Sequence, residues 1–280
     1  MITRFTVLGG DDRQNHLFRK LLSAGFEAEC WQVPGLADTK ASLYEALCRT
    51  QAAVLPMPAL RGSEFIRAGS SAGIPLRSVL DSLPRGAYVL GGGLSAAAEL
   101  LRQYPVHVID YGASEPLATQ NAVPTAEGAI RIAMEKLPVT IQGSRFLVIG
   151  FGRIGKVLSQ RLAALGGLVT VAARKPGDCA LAESFGCQSD RTGLYLRGLA
   201  RYDCIFNTVP APVLAADDFA AMRPDCLVVD LASGQGGAGE GAVPADGPVY
   251  LRAPGLPGKA APATAAEFIK NAILEALTAP

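Results

Sequence analysis

Gly150, Gly152 and Gly155 stand in the stretch SRFLVIGFGRIGKVLSQRLAALG at the spacing of a dinucleotide-binding turn. The chemistry needs glycine there because the turn is tight and the backbone must approach a pyrophosphate. The helix N-terminus then supplies free N–H groups and positive dipole to the anion. Arg153 and Ile154, inside the turn, are counted with the three glycines as cofactor-binding positions. The surroundings agree with that chemistry. An apolar run from Arg145 to Ile149 reads as the strand before the turn, an amphipathic stretch as the helix after it, and LVTVAA (Leu168 to Ala173) as a second strand.

An acid at the end of that second strand would accept hydrogen bonds from an adenosine ribose and repel a 2′-phosphate. No carboxylate occurs from Gly150 until Asp178, and Arg174 and Lys175 stand in its place. A guanidinium and an ammonium suit a phosphate ester, and Arg can engage it with two donors at once. The expected cofactor is NADP(H). The alternative is an ordinary solvated loop, with NAD bound weakly.

The elements that must position these residues are written along the whole chain as strand-like segments alternating with helical ones, the pattern of parallel sheets with crossover helices. Strands are expected at RFTVLGG, FEAECWQ, AAVLPMP, AYVLGGG and VHVIDYG in the first half. In the second they are expected at RFLVIG, LVTVAA, YDCIFNTV, CLVVDLAS and PVYLRA. The fold class is therefore α/β: two Rossmann-like doubly wound parallel-sheet domains around a cleft, with a C-terminal helix returning to the first domain. The expected divisions are an α/β substrate and partner domain over 1–120, a hinge and linker helix over 121–142, an NADP-binding domain over 143–255, and the returning helix over 256–280. Within Pro116 to Leu137 a break is expected at Val123-Pro124, because the residue before proline avoids helix geometry.

In doubly wound folds ligands bind at the carboxyl ends of the strands. That puts Asn207, Thr208, Val209 and Pro210, then Ala232 and Ser233, beside the ribose and nicotinamide. The alternative for NTVP is a proline-terminated strand end. The first half also opens with glycines, in LGGDDRQ, but Asp11 and Asp12 put negative charge where a pyrophosphate would sit. This stretch is either a capped helix start or a substrate wall in which Arg13 holds a carboxylate. Thr125, with Glu127, fits a helix N-terminus or a substrate contact, and Lys259 a loop lysine or a carboxylate ligand. Arg13, Thr125 and Lys259 form the candidate catalytic set.

With 26 Lys and Arg against 25 Asp and Glu, the formal net charge of the 280-residue chain is +1, which marks out no nucleic-acid or polybasic membrane surface. Six scattered cysteines without a CxxC pair, and only two histidines, argue against a metal site. No apolar run approaches membrane-spanning length, and the start enters a strand without a secretory h-region, so a cytoplasmic protein is expected.

The ordered stretches VLGGDDRQ, NAVPTAEGAI, GFGRIG, FNTVPAPVL, VVDLASGQGG and APGLPGKAAPATA resemble the dipicolinate synthase A-subunit family over nearly the full length. The resemblance implies oxidation of dihydrodipicolinate to dipicolinate with NADP in spore formation. It also implies a small dicarboxylate substrate, self-association and, as partner, the flavoprotein-like B chain of dipicolinate synthase. The segment AGEGAVPADG departs from the family by lacking a longer aromatic and acidic stretch.

A 2-hydroxyacid dehydrogenase is the enzyme alternative, but its proton-carrying histidine would come late in the cofactor half, and no histidine follows His107. An imine or amino-acid reductase using Lys259 as proton donor, and a non-catalytic NADP-binding sensor, are the other readings.

Overall fold

The computed structural model describes residues 2–69, 72–191, 193 and 195–278. The chain divides into two compact units, Met1–Asn121 with Ala261–Pro280, and Ala122–Ala260. Each is built on its own parallel sheet.

In the first unit the sheet comprises β1 (Arg4–Leu8), β2 (Glu27–Trp31), β3 (Ala52–Val54), β7 (Tyr88–Gly91) and β8 (His107–Asp110). Between β3 and β7 the short strands β4 (Leu60–Arg61), β5 (Phe65–Ile66) and β6 (Ile74–Pro75) form a small antiparallel sheet of their own. The spatial order of the main sheet is β2-β1-β3-β7-β8, so the chain reverses direction across the sheet between β1 and β3. Continuous apolar runs such as AAV suit strands covered on both faces. Phe5 and Val7 pack with α1 (Asp12–Ser23) on one face, while Ala53 and Val89 join the core on the other. The shorter helices α2 (Leu43–Leu47), α3 (Leu76–Ser82) and α4 (Ala98–Leu101) contribute to that second core.

The second unit carries β9 (Arg145–Ile149), β10 (Leu168–Ala173), β11 (Gln188–Arg191), β12 (Cys204–Asn207), β13 (Leu227–Asp230) and β14 (Val249–Arg252), in the order β11-β10-β9-β12-β13-β14. All neighbours are parallel. Numbered within the unit this is 3-2-1-4-5-6, the order of dinucleotide-binding folds, with its switch point between β9 and β12. Helices α6 (Arg153–Ala164), α7 (Pro176–Ser184), α8 (Ala216–Ala220) and α9 (Leu256–Ala260) complete the unit. Strand β11 is absent from the sequence-based expectation. QSDR is polar and half-exposed, and it pairs with β10 alone, at the sheet edge.

The expected break at Val123-Pro124 is corrected by α5, one helix from Glu115 to Lys136 with Pro124 inside it. A proline removes one helical donor and crowds the preceding turn, which favours a kink or stop. Here apolar side chains on both sides of it are packed: Leu117 enters one core, and Ala126, Ala129 and Ile130 another. Packing on both flanks outweighs the local preference. The C-terminal helix α10 (Pro262–Thr278) belongs to the first unit, whereas residues 256–260, expected to be part of it, form α9 of the second. Ala265, Ala266, Ile269, Ala272 and Ile273 recur at helical spacing and are buried, and Lys20 of α1 reaches Glu267 at 2.8 Å.

Candidate functional site

The glycine turn of the second unit leaves β9 at Gly150, whose φ of +94° is a backbone region that side chains with a Cβ rarely adopt. A methyl group on Gly155 would collide with the Gly150 carbonyl oxygen, so the third glycine lets α6 approach the strand end. Gly152 is different: a Cβ there would meet nothing within 4 Å. It is the N-cap of α6 and provides no side-chain cap, so the open space lies at the positive end of the helix dipole. A backbone cradle without a side chain, facing a helix N-terminus, fits a pyrophosphate. Arg153 and Ile154 form the first turn of α6.

The loop after β12 lies against this turn. Thr208 sends both its N–H and its hydroxyl to the Ile149 carbonyl, each at 2.9 Å, and a Cβ on Gly150 would stand 2.5 Å from Thr208 Oγ1 and 2.8 Å from Val209 Cγ2. The structure thus brings Gly150, Thr208 and Val209 together at the switch point, with Pro210 exposed just beyond. Arg174 and Lys175 are exposed where β10 gives way to α7, and neither has an ion-pair partner among the described residues. Nearby, Lys156 lies 3.8 Å from Asp178.

Asn207 does not face a cofactor as expected. Its side chain is wholly buried, with Nδ2 donating to the Val209 carbonyl at 3.0 Å and to Asp230 Oδ1 at 2.9 Å, while Oδ1 accepts from Val209 N–H at 3.0 Å. It shapes the loop from beneath because its amide is fully used by its neighbours. Of the β13 pair, Ala232 is buried and donates its N–H to Asp230, and Ser233 is exposed. Sequence reasoning assigns Asp230 no role, although it ends β13 with 0% exposure and accepts from Asn207, Ala232, Gly237 and Tyr250. The available signal is a carboxylate closing the apolar run CLVVD ahead of a glycine pair. Burial, then the hydrogen bond to Asp230, pushes the Tyr250 phenol up to about 12, so it remains a donor at neutral pH.

In the first unit, the expectation that Arg13 leaves its guanidinium to the substrate while the acids cap the helix holds only in part. Asp11 does cap α1, accepting from Arg13 N–H, but it also takes Nε at 2.9 Å and Nη2 at 2.7 Å. Nη2 further donates to the Met57 carbonyl at 2.5 Å, in the loop between β3 and β4. With 6% exposure, Arg13 is a clamped side chain whose Nη1 is its one guanidinium nitrogen without a bond among the described residues. Burial pushes the Asp11 carboxyl up, but the hydrogen bonds and charge of Arg13 outweigh it and hold Asp11 below its ordinary value. Gly10 donates its N–H to the Arg67 carbonyl at 2.7 Å, so the chain itself covers this turn.

Thr125 lies inside α5 at 7% exposure, which corrects its reading as a helix start. Lys259 is exposed on α9, not in a loop. No described helix is long and apolar enough to cross a membrane.

Comparison with known proteins follows the same division. Residues 4–111 match the N-terminal domain of the dipicolinate synthase A subunit, and residues 118–236 match the NAD binding domain of D-isomer specific 2-hydroxyacid dehydrogenases. The dipicolinate synthase A subunit of Bacillus subtilis (strain 168) is 28% identical over 285 residues, covering 98% of this chain and 95% of that protein. The crystal structure of the dipicolinate synthase A chain from Bacillus subtilis superposes with a TM-score of 0.84 at 29% identity, over 99% of this chain and 96% of that one. The corresponding crystal structure from Bacillus halodurans gives 0.87 at 26% identity, over 99% and 98%. The chain is therefore similar from end to end to dipicolinate synthase A subunits, with a match to their N-terminal domain followed by a nicotinamide-dinucleotide-binding domain of the dehydrogenase type.

Proposed function

We propose that the chain is the A subunit of a dipicolinate synthase, oxidising dihydrodipicolinate to dipicolinate in spore formation, with NADP as acceptor and a flavoprotein-like B chain as partner. The reading rests above all on the end-to-end similarity to proteins named as dipicolinate synthase A subunits. When bound, the dinucleotide supplies the acceptor for one hydride from the ring, while one proton leaves to water and the product gains aromatic stabilisation.

The protein's own part is positioning. Gly150, Gly152 and the first turn of α6 hold the pyrophosphate, and Arg174 and Lys175 engage the 2′-phosphate with charge-assisted donors. Thr208, Val209, Pro210, Ala232 and Ser233 wall the nicotinamide half. A diacid substrate calls for cations. In the first unit Arg13, held rigid by Asp11 and Met57, has its Nη1 for a carboxylate. In the second, Lys259 is an exposed cation without an ion-pair partner among the described residues. Thr125 is a hydroxyl contact of lesser weight, given its burial. The match to a 2-hydroxyacid dehydrogenase domain does not bring that substrate class with it, since the chain has no histidine after position 107 to carry the proton.

The test is turnover of dihydrodipicolinate by the purified chain with NADP, with and without the B-type partner, measuring dipicolinate and NADPH together. One NADPH per dipicolinate is expected, at full rate only with the partner. Dipicolinate formed without NADPH would overturn the reaction, and full activity from the chain alone would overturn the partnership.

A further inference from the structure

Asp230 is a carboxylate with no exposure and, among the described residues, no cation in hydrogen-bonding contact, yet it is saturated. Oδ1 accepts from Asn207 Nδ2 at 2.9 Å and Ala232 N–H at 3.0 Å; Oδ2 accepts from Gly237 N–H at 2.7 Å and from the Tyr250 hydroxyl. These donors come from the end of β12, from Ala232 and Gly237 in the segment after β13, and from Tyr250 within β14. One side chain therefore ties that segment to three neighbouring strands.

The loop is pressed onto that carboxylate. A Cβ on Gly236, which has φ +87°, would collide with Asp230 Oδ2, and one on Gly237 would collide with Asn207 Nδ2. Arg252 Nη2 donates to the Gly234 carbonyl at 2.5 Å from the outer side. The Gly237 carbonyl in turn accepts from Val213 N–H at 2.8 Å and Leu214 N–H at 3.0 Å, joining the loop to the segment after β12. Between these anchors only the tip, Ser233, Gly234 and Gln235, is exposed. A buried carboxylate needs several donors to offset its desolvation, and such a saturated network specifies a single arrangement.

We propose that Asp230 is a positioning residue, which through Tyr250 and Gly237 fixes the Ser233–Gln235 tip as the wall against which the nicotinamide half of the dinucleotide is seated. The inference rests on the cofactor reading above. In this strand order the adenosine half lies toward β10, so the opposite half of the ligand falls to the carboxyl ends of β12 and β13. Asp230 touches no ligand. Its effect passes through the loop alone.

Asp230→Asn keeps the shape but sets an amide NH2 against a backbone N–H in either orientation, and Tyr250→Phe removes a single donor. The test titrates NADPH into wild type and both variants, reading the dissociation constant and the nicotinamide emission together, with turnover and melting temperature alongside. Wild type is expected to bind with enhanced emission. Asp230→Asn is expected to bind within about threefold of wild type while losing over half of the enhancement and about tenfold in kcat. Tyr250→Phe, which keeps the carboxylate, should shift the same way by less, and it carries the test if Asp230→Asn does not fold. Unchanged emission in the variants would overturn the inference, as would emission, affinity and melting temperature falling together, the mark of a purely structural role. Wild type that binds NADPH with no change in emission counts against it too. Wild type that does not bind NADPH overturns the cofactor reading first, and the inference with it.

Discussion

In the proposed function Arg174 and Lys175 are the residues that would choose between two cofactors differing by one phosphate. Their charges stand exposed at the end of β10 with no acid to occupy them among the described residues, so they are available to a 2′-phosphate. Charge-assisted bonds of this kind contribute on the order of 1.5–3 kcal/mol, roughly ten- to a hundredfold in affinity. Calorimetric titration of NADP and NAD should show that preference in wild type and its loss in Arg174→Asp; equal affinities in wild type would contradict the assignment. Arg13 makes the second prediction at this scale. Its truncation to Ala takes away the charge and the side-chain hydrogen bonds that lower Asp11 and keeps only the backbone N–H bond of residue 13. In wild type the folded value is depressed, so the pair stabilises the fold above the ordinary carboxylate range, and that contribution is lost as pH falls through the lowered value. In Arg13→Ala the Asp11 carboxyl should titrate higher than in wild type, read by carbon NMR. The same variant should raise KM for substrate and leave NADP affinity unchanged. An Asp11 titration indifferent to Arg13 would show that the clamp does not form in solution.

At the scale of elements, the three glycines that look alike in the sequence do different work. Gly155→Ala sets a methyl group against the Gly150 carbonyl and must push α6 from β9, with a cost of about 1–3 kcal/mol by overpacking. Gly152→Ala meets no protein atom, so stability should change by no more than about 0.5 kcal/mol, while dinucleotide affinity falls as the methyl group occupies the pyrophosphate's approach. Thermal melts paired with binding titrations separate the two, and equal stability losses would refute the cradle. The strand-turn-helix around GFGRIG is legible because glycine spacing and an apolar run are local signals. The ten strands read from apolar runs are legible for the same reason. What is not legible depends on distant partners. QSDR becomes β11 only because β10 offers it an edge, and Pro124 stays helical only because packing holds the chain on both sides. Asn207 reads as an outward polar residue until Asp230, 23 positions later, claims its amide.

For the molecule as a whole, each unit has its own sheet and cores, and α10 returns from the end of the chain to seal the first. The strand order of the second unit, its uncovered Gly152 cradle and the similarity to dipicolinate synthase A subunits support one central claim, that this chain carries the dinucleotide which accepts the substrate's hydride. A cofactor sensor would bind the same dinucleotide without reducing it. The most direct measurement is a single turnover with the chain in excess, NADP bound, the B-type partner present, and dihydrodipicolinate deuterated at its saturated ring carbons. One deuterium is expected on the nicotinamide ring of NADPH for each dipicolinate formed, detected by mass spectrometry of the recovered cofactor. Dipicolinate accompanied by NADPH without deuterium, or by no NADPH at all, would contradict the central claim.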